Sequence, residues 1–353
     1  MKGTGFSPFD MNNFSSENKN PFSGNPAYYY MQADAEKRGI KTIGITAGFC
    51  IIGYFAVQYG ISELLSLFNL YSLYRSDSTF QACMNIIYSV FGVLLPFFIG
   101  GLYLKNKTGT EFLTLSKPND KKMAVFGVGL AFFVCLSANY FTSWLVTAAE
   151  QFGVSLYAPE YSAPSDLFGR IIYVISVAVI PALCEEVATR GAIMQPLRKY
   201  GDRFAIIASS VVFALLHGNL VQAPFALIAG IGMGYVVCFT ESLWTGIAVH
   251  MLNNLYSVIV EFMMNDIKDE ALLNKSYTLL LTWLYLVSGG LLLLFALFKN
   301  HRKLEKKVTA LSGVSKGLAF AFSIPMLIAF LIILYVTASY VNIDKSILNG
   351  FGL

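Results

Sequence analysis

Apolar residues run in blocks of about 20 along most of the chain, with short polar connections between them, and a helix of that length crosses the roughly 30 Å hydrocarbon core of a bilayer. A 19-residue window predicts nine such segments. Their approximate ranges are 43–66, 84–104, 123–147, 167–193, 204–218, 221–240, 243–264, 277–298 and 317–341. The pattern predicts an all-α, polytopic membrane helical bundle with about eight to nine transmembrane helices.

The composition agrees with this class of fold. Of 353 residues, 56% are hydrophobic and only 13% are charged, and the mean hydropathy is +0.59. Soluble globular proteins carry about 25% charged residues, so the composition favours a membrane protein over a water-soluble enzyme. The net charge of +4 is modest, and no nucleic-acid partner is expected.

The first forty residues differ from the rest of the chain. Residues 1–41 are rich in Asn, Ser, Gly, Phe and Tyr and have no helical or strand periodicity. This composition is typical of disorder. The sequence therefore predicts a disordered cytoplasmic tail over 1–41 and a membrane domain over 42–353.

The basic residues between the predicted spans indicate an orientation. Most of the 25 Lys and Arg residues fall in connections that share a side with the N-terminus. Because cytoplasmic loops are enriched in Lys and Arg, we expect an integral membrane protein, in the plasma membrane, with its N-terminus in the cytoplasm.

Two adjacent carboxylates interrupt the fourth span. Glu185 and Glu186 lie inside an apolar run and are followed by Arg190. Charged residues inside a span are costly and usually mark function. On a helix, Glu186 and Arg190 share a face and can form an ion pair, whereas Glu185 is rotated by about 100° and stays free to accept a proton. Pro181 predicts a local bend just before them.

Two further polar patterns follow within the next seventy residues. Phe213 and His217 are four residues apart, as are His250 and Asn254, and both pairs lie in predicted spans. Each histidine alone is more often structural than catalytic, since membrane histidines and asparagines commonly form interhelical hydrogen bonds. Asn253 is expected to point away from the Asn254 face.

A carboxylate and two histidines are the groups needed to activate water, and they can do so in two ways. Glu185 and His217 could act as general base while His250 and Asn254 donate hydrogen bonds to the oxyanion. Alternatively, Glu185, His217 and His250 could hold a metal, such as zinc, whose bound water is acidified. The chain has no HExxH sequence, so the common soluble zinc-protease motif is absent.

These motifs, in this order and spacing, resemble those of the CPBP intramembrane proteases, which include CaaX-prenyl endopeptidases and bacterial Abi proteins. The resemblance covers a catalytic core of about 165–265. It implies hydrolysis of a membrane-associated peptide or protein substrate, in CaaX-like processing or in bacteriocin maturation or self-immunity. It implies catalysis by Glu185, His217, His250 and Asn254, supported by Glu186, Arg190 and Phe213. It leaves open whether the site binds a zinc ion or works without a metal.

Two other functions remain possible from the residues alone. The same Glu and His side chains could form a proton or ion relay in a transporter, or the protein could sequester a peptide without cutting it. One feature argues against simple convergence of the site: a fifth span that starts near Arg203 would carry His217 about 21 Å along its axis, far from Glu185 and His250.

Overall fold

The computed structural model describes residues 26–159, 162–299, 304 and 306–343, and this part of the chain is mainly helical. The helices are α1 Pro26–Leu67, α2 Tyr71–Ser76, α3 Ser78–Thr108, α4 Lys121–Gln151, α5 Leu167–Arg198, α6 Asp202–Leu216, α7 Ala223–Thr240, α8 Leu243–Asp266, α9 Glu270–Phe298, α10 Gly313–Ala321 and α11 Ile324–Ala338. Two short antiparallel strands, β1 Val154–Leu156 and β2 Val341–Ile343, pair Val154 with Ile343.

Seven of the described helices are long and apolar enough to cross a membrane: α1, α3, α4, α5, α7, α8 and α9. The bent pair α10 and α11 would make an eighth if it forms one span. The predicted fold class, a polytopic helical membrane bundle, is confirmed.

The nine-span prediction is too high by one or two, for a physical reason. Helix α6 has 15 residues, which at 1.5 Å per residue span about 22 Å, less than a hydrocarbon core of about 30 Å. The ninth predicted span is bent by 77° between α10 and α11. Phe322 and Ser323 leave helical geometry there, and Pro325 stands in the first turn of α11, where its missing N–H costs no hydrogen bond.

Helix α1 begins at Pro26 and not near residue 42. The prediction of a disordered tail is therefore wrong over residues 26–41, and residues 1–25 lie outside the described part. Glu36 explains the order: its buried carboxylate accepts hydrogen bonds from the backbone N–H groups of Ala310 and Leu311, at 2.9 and 3.0 Å. A Cβ atom added at Gly39 would overlap the buried Tyr200 hydroxyl, so α1 packs against the turn between α5 and α6.

The connections that were predicted to be cytoplasmic contact one another at one end of the bundle. Arg198 forms an ion pair with Glu241 at 2.7 Å. The Ser116 hydroxyl donates to the Glu241 carbonyl at 3.3 Å, and the Lys316 ammonium donates to the Tyr200 carbonyl at 2.8 Å. At the opposite end β1 pairs with β2.

Helix α7 packs closely on α6 through two glycines. A Cβ atom added at Gly230 would lie 3.0 Å from Cβ of Ser210, and one added at Gly234 would lie 3.2 Å from Cγ2 of Ile206. Small residues at this spacing let helices approach closely. The contact fixes the depth of the C-terminal end of α6, which carries Phe213.

Candidate active site

Two π-helical segments of α5, Ile175–Val179 and Val187–Met194, flank the paired glutamates. Insertions of this kind are frequent at functional sites. Pro181 contributes to the first, because a proline has no N–H to donate to the carbonyl four residues earlier. That carbonyl belongs to Val177, and it accepts a hydrogen bond from the side-chain amide of Asn254 at 3.0 Å. The Val177 carbonyl, which lacks the usual helical partner at Pro181, thus forms a hydrogen bond that connects α5 to α8.

Glu186 is fully buried and forms the predicted ion pair with Arg190, with an Oε1–Nη1 distance of 2.7 Å. The same oxygen lies 3.2 Å from Nδ1 of His250. Its other oxygen, Oε2, lies against α8 where a Cβ at Gly246 would come within 2.5 Å. Only glycine at position 246 therefore allows α8 to pack against this carboxylate without displacement.

Arg190 is also fully buried, and the protein supplies several partners for its charge. Besides Glu186, its guanidinium donates to the Thr189 hydroxyl at 2.7 Å and to the Gly230 carbonyl at 3.2 Å. It also lies 4.5 Å from the centre of the Phe213 ring, in the geometry of a cation–π contact. Phe213 therefore has a defined structural place beside the ion pair.

Glu185 has a different environment from its neighbour. Its side chain is 21% exposed, whereas that of Glu186 is fully covered. Glu185 Oε2 lies 3.7 Å from Nε2 of His250, which is beyond direct hydrogen-bond distance and close enough for a shared water molecule or substrate group. The accessible carboxylate of the site is Glu185.

His250 lies between the two glutamates, with Nδ1 toward Glu186 and Nε2 toward Glu185. An ionised carboxylate can only accept a hydrogen bond, so Nδ1 of His250 carries the proton that faces Glu186. This contact orients the imidazole ring. Its Nε2 therefore faces the accessible carboxylate.

His217 caps the C-terminal end of α6. Its Nδ1 lies 2.8 Å from the Phe213 carbonyl, and because a carbonyl only accepts, Nδ1 is protonated and the Nε2 lone pair is available. The Phe213 ring stands edge-on to both imidazoles, with centroid distances of 5.0 Å to His217 and 5.5 Å to His250.

The depth conflict between His217 and Glu185 disappears because α5 runs on to Arg198. Glu185 lies 13 residues before that end, about 20 Å along the helix axis, which is close to the rise of His217 along α6. The two histidines flank one phenyl ring and are not separated by a full membrane span. His217 is joined to the site through Phe213, whereas Glu185 approaches His250 directly, at 3.7 Å.

Two asparagines that the motifs do not include also belong to this region. The Asn139 amide, on α4, donates to the Asn253 carbonyl oxygen at 3.4 Å, and the Asn253 amide donates to the Asn254 carbonyl oxygen at 3.4 Å. Asn253 was expected to point elsewhere, and it instead connects α4 to Asn254. The signal in the sequence was the polar pair Asn253–Asn254 in an apolar helix, whose second partner lies over a hundred residues away.

The predicted metal ligands Glu185, His217 and His250 do not form a metal-binding group. Across the described ranges, no three His, Cys, Asp or Glu side chains stand close enough together to hold a metal ion. A catalytic zinc site needs three protein ligands and one open position. The zinc alternative stays a prediction, and the donor arrangement does not fit it.

The geometry can be compared with known families. Residues 167–256 match the family model described as type II CAAX prenyl endopeptidase Rce1-like. This segment, about a quarter of the chain, is similar to the proteases that the three motifs resemble. The Rce1-like segment contains all seven residues of the three motifs and runs from the start of α5 into α8. No curated protein and no solved structure matched the chain. The protein is an integral membrane protein with a domain of a protease family.

Proposed function

We propose that this protein is an intramembrane endopeptidase that hydrolyses a peptide bond of a membrane-associated peptide or protein. One observation carries the proposal: Arg190 neutralises the buried Glu186, while Glu185 remains accessible 3.7 Å from His250. One carboxylate therefore organises the site and the other is free to take a proton from water.

The reaction follows from the positions of these groups. Glu185 accepts a proton from a water molecule, assisted by the free Nε2 of His217, and the resulting hydroxide attacks the scissile carbonyl carbon. Asn254 uses one amide hydrogen for the Val177 carbonyl, so its second can donate to the oxyanion, together with His250 when Nε2 is protonated. The intermediate collapses when protonated Glu185 returns the proton to the leaving amine.

The proposal also covers the membrane in which the protein lies and the substrate that it cuts. We place the protein in the plasma membrane with its N-terminus in the cytoplasm, as the distribution of Lys and Arg predicts. The meeting of the basic connections at one end of the bundle supports this orientation. The site takes peptides in CaaX-like processing, or in bacteriocin maturation or self-immunity. The Rce1-like segment supports CaaX-like processing, and the bacteriocin role is the alternative.

The decisive test compares wild-type protein with Glu185→Gln in proteoliposomes. Two probes are used: a farnesylated, fluorophore-quencher peptide with a CaaX terminus, and solubilised membrane proteins of the expression host, whose new termini are read by mass spectrometry. We expect kcat to fall by about 10²–10⁴-fold in Glu185→Gln, the usual contribution of a general base. Glu150→Gln, an exposed change at the end of α4, is the matched control.

Other results would favour another function. Cleavage by Glu185→Gln at the wild-type rate contradicts the proposal. Absence of any new termini with wild-type protein, together with proton flux across the liposome membrane, indicates a relay. Immunity retained by cells that express Glu185→Gln indicates peptide sequestration. Exposure to a chelator tests the zinc alternative: we expect unchanged cleavage, and a loss that zinc restores would contradict the metal-free scheme.

A further inference from the structure

A cavity lies between α4 and α9, outside the proposed active site. Its volume is about 470 Å³, and three tyrosines, Tyr140, Tyr277 and Tyr285, line it with Thr278, Thr282 and two leucines. We call it the tyrosine cavity. Tyr140 is 53% exposed and Leu286 is 63% exposed, and both belong to membrane-spanning helices, so the mouth of the cavity faces the lipid.

The hydroxyl groups at this cavity are incompletely paired. The hydroxyls of Tyr256 and Tyr277 lie 3.3 Å apart, and the Thr282 hydroxyl donates to the Thr278 carbonyl. Within the described part of the chain, the hydroxyls of Tyr140 and Tyr285 find no acceptor, although their rings lie 6.2 Å apart. A phenol donor in hydrocarbon is costly without an acceptor. An occupant that carries acceptors would satisfy both donors.

The tyrosine cavity reaches the depth of the proposed oxyanion site. Tyr140 follows Asn139, whose amide donates to Asn253 beside Asn254. Counting 1.5 Å per residue, Tyr140 lies about 6 Å from the midpoint of α4, and Tyr285 lies within about 2 Å of the midpoint of α9. Both therefore lie inside a hydrocarbon core of about 30 Å.

This depth distinguishes between two kinds of occupant. A phospholipid carries its ester carbonyls at the interface and only apolar chains at the midplane, so it leaves the tyrosine donors unpaired. A membrane helix has its backbone carbonyls bonded within itself. A peptide segment that is locally unwound carries free carbonyls and apolar side chains at any depth.

We propose that the tyrosine cavity is a substrate-binding site that holds an unwound, apolar segment of a membrane-inserted peptide through the hydroxyls of Tyr140 and Tyr285. The proposal rests on the proposed protease function, because the bound segment would be part of the peptide to be cleaved. Unwinding frees backbone carbonyls and also exposes the peptide bond to attack. The tyrosine cavity would therefore select broken helices over intact ones.

Photo-crosslinking in liposomes tests this without requiring cleavage. The protein is Glu185→Gln, and the probe is a 20-residue Leu/Ala peptide with a central Gly-Pro break and an adjacent diazirine residue. We expect crosslinks on α4 and α9, with a yield about tenfold higher than for an unbroken peptide. Adding Tyr140→Phe and Tyr285→Phe should reduce the yield by a similar factor. Tyr335→Phe, an 81% exposed position on α11, is the control and should have no effect.

The outcomes separate this proposal from the enzymatic one. Equal yields for broken and unbroken peptides, or yields unchanged by the Tyr140 and Tyr285 substitutions, overturn the binding site, as does preferential labelling of α9 by a diazirine phospholipid. Tyrosine-dependent crosslinking without cleavage by the wild-type protein would remove the protease function and keep the site. If both hold, the double Tyr→Phe variant raises KM for peptides that wild-type protein cleaves and leaves kcat nearly unchanged.

Discussion

Replacing Arg190 with Met should destabilise the protein strongly, although the substitution adds apolar surface to an apolar bundle. Both members of the Glu186–Arg190 pair are fully buried, and their charged atoms lie 2.7 Å apart. Removing the guanidinium leaves the Glu186 carboxylate in the interior with only the His250 N–H as a partner. Breaking a buried pair in this way costs about 3–5 kcal/mol.

The other partners of Arg190 add to the expected loss in the free energy of unfolding. Arg190→Met also removes the donors to Thr189 and to the Gly230 carbonyl, each worth about 1 kcal/mol. In contrast, the double variant Glu186→Leu with Arg190→Met buries no unpaired charge, so its loss should be well below the sum of the single losses. We expect a coupling energy of about 3 kcal/mol between the two positions.

Equilibrium unfolding measures these values. Unfolding in mixed micelles with increasing SDS can be followed through the fluorescence of the three tryptophans. The matched control is Lys105→Met, which breaks an ion pair of the same 2.7 Å length with Glu111. That pair is largely exposed, so the control should lose less than about 1 kcal/mol.

The reasoning is refuted if the free energy of unfolding of Arg190→Met lies within about 1 kcal/mol of the wild-type value, because a loss that small is typical of an exposed ion pair. It is also refuted if the losses at positions 186 and 190 are additive. Either result would mean that water reaches the ion pair and that burial does not decide which carboxylate is free. The role assigned to Glu185 would then lose its basis.

Two further substitutions test how the site is held together. Gly246→Ala should push the added methyl into Glu186 Oε2 and lower peptide cleavage at least tenfold in protein that still inserts, whereas Gly290→Ala, which has open space around it, should cleave normally; equal activity of both would contradict the close packing. Pro181→Ala restores an N–H donor to the Val177 carbonyl, so it should weaken the Asn254 anchor and lower kcat more than it changes KM. Unchanged kcat in a folded Pro181→Ala protein would show that Asn254 needs no such anchor.

Much of the fold could be predicted because each membrane-spanning helix is marked by its own stretch of sequence. A run of about 20 apolar residues is sufficient to predict a spanning helix, and eight of the nine predicted segments coincide with helices long enough to span or with the bent pair. The exception, α6, is a helix of 15 residues that is buried except for a stripe at Arg203, Ile207 and Val211. Hydropathy cannot distinguish a span from an apolar helix that is too short to span.

Of the site, the sequence determined what depends on one helix: the Glu186–Arg190 pairing and the separate direction of Glu185 both follow from residues within about two turns of one another. The tertiary structure alone decided that His250 lies between two glutamates 64 and 65 residues away, and that Asn253 joins Asn139. The physical reason is that these contacts depend on helix depth and rotation, which packing at positions such as Gly230 and Gly246 sets and no local pattern encodes.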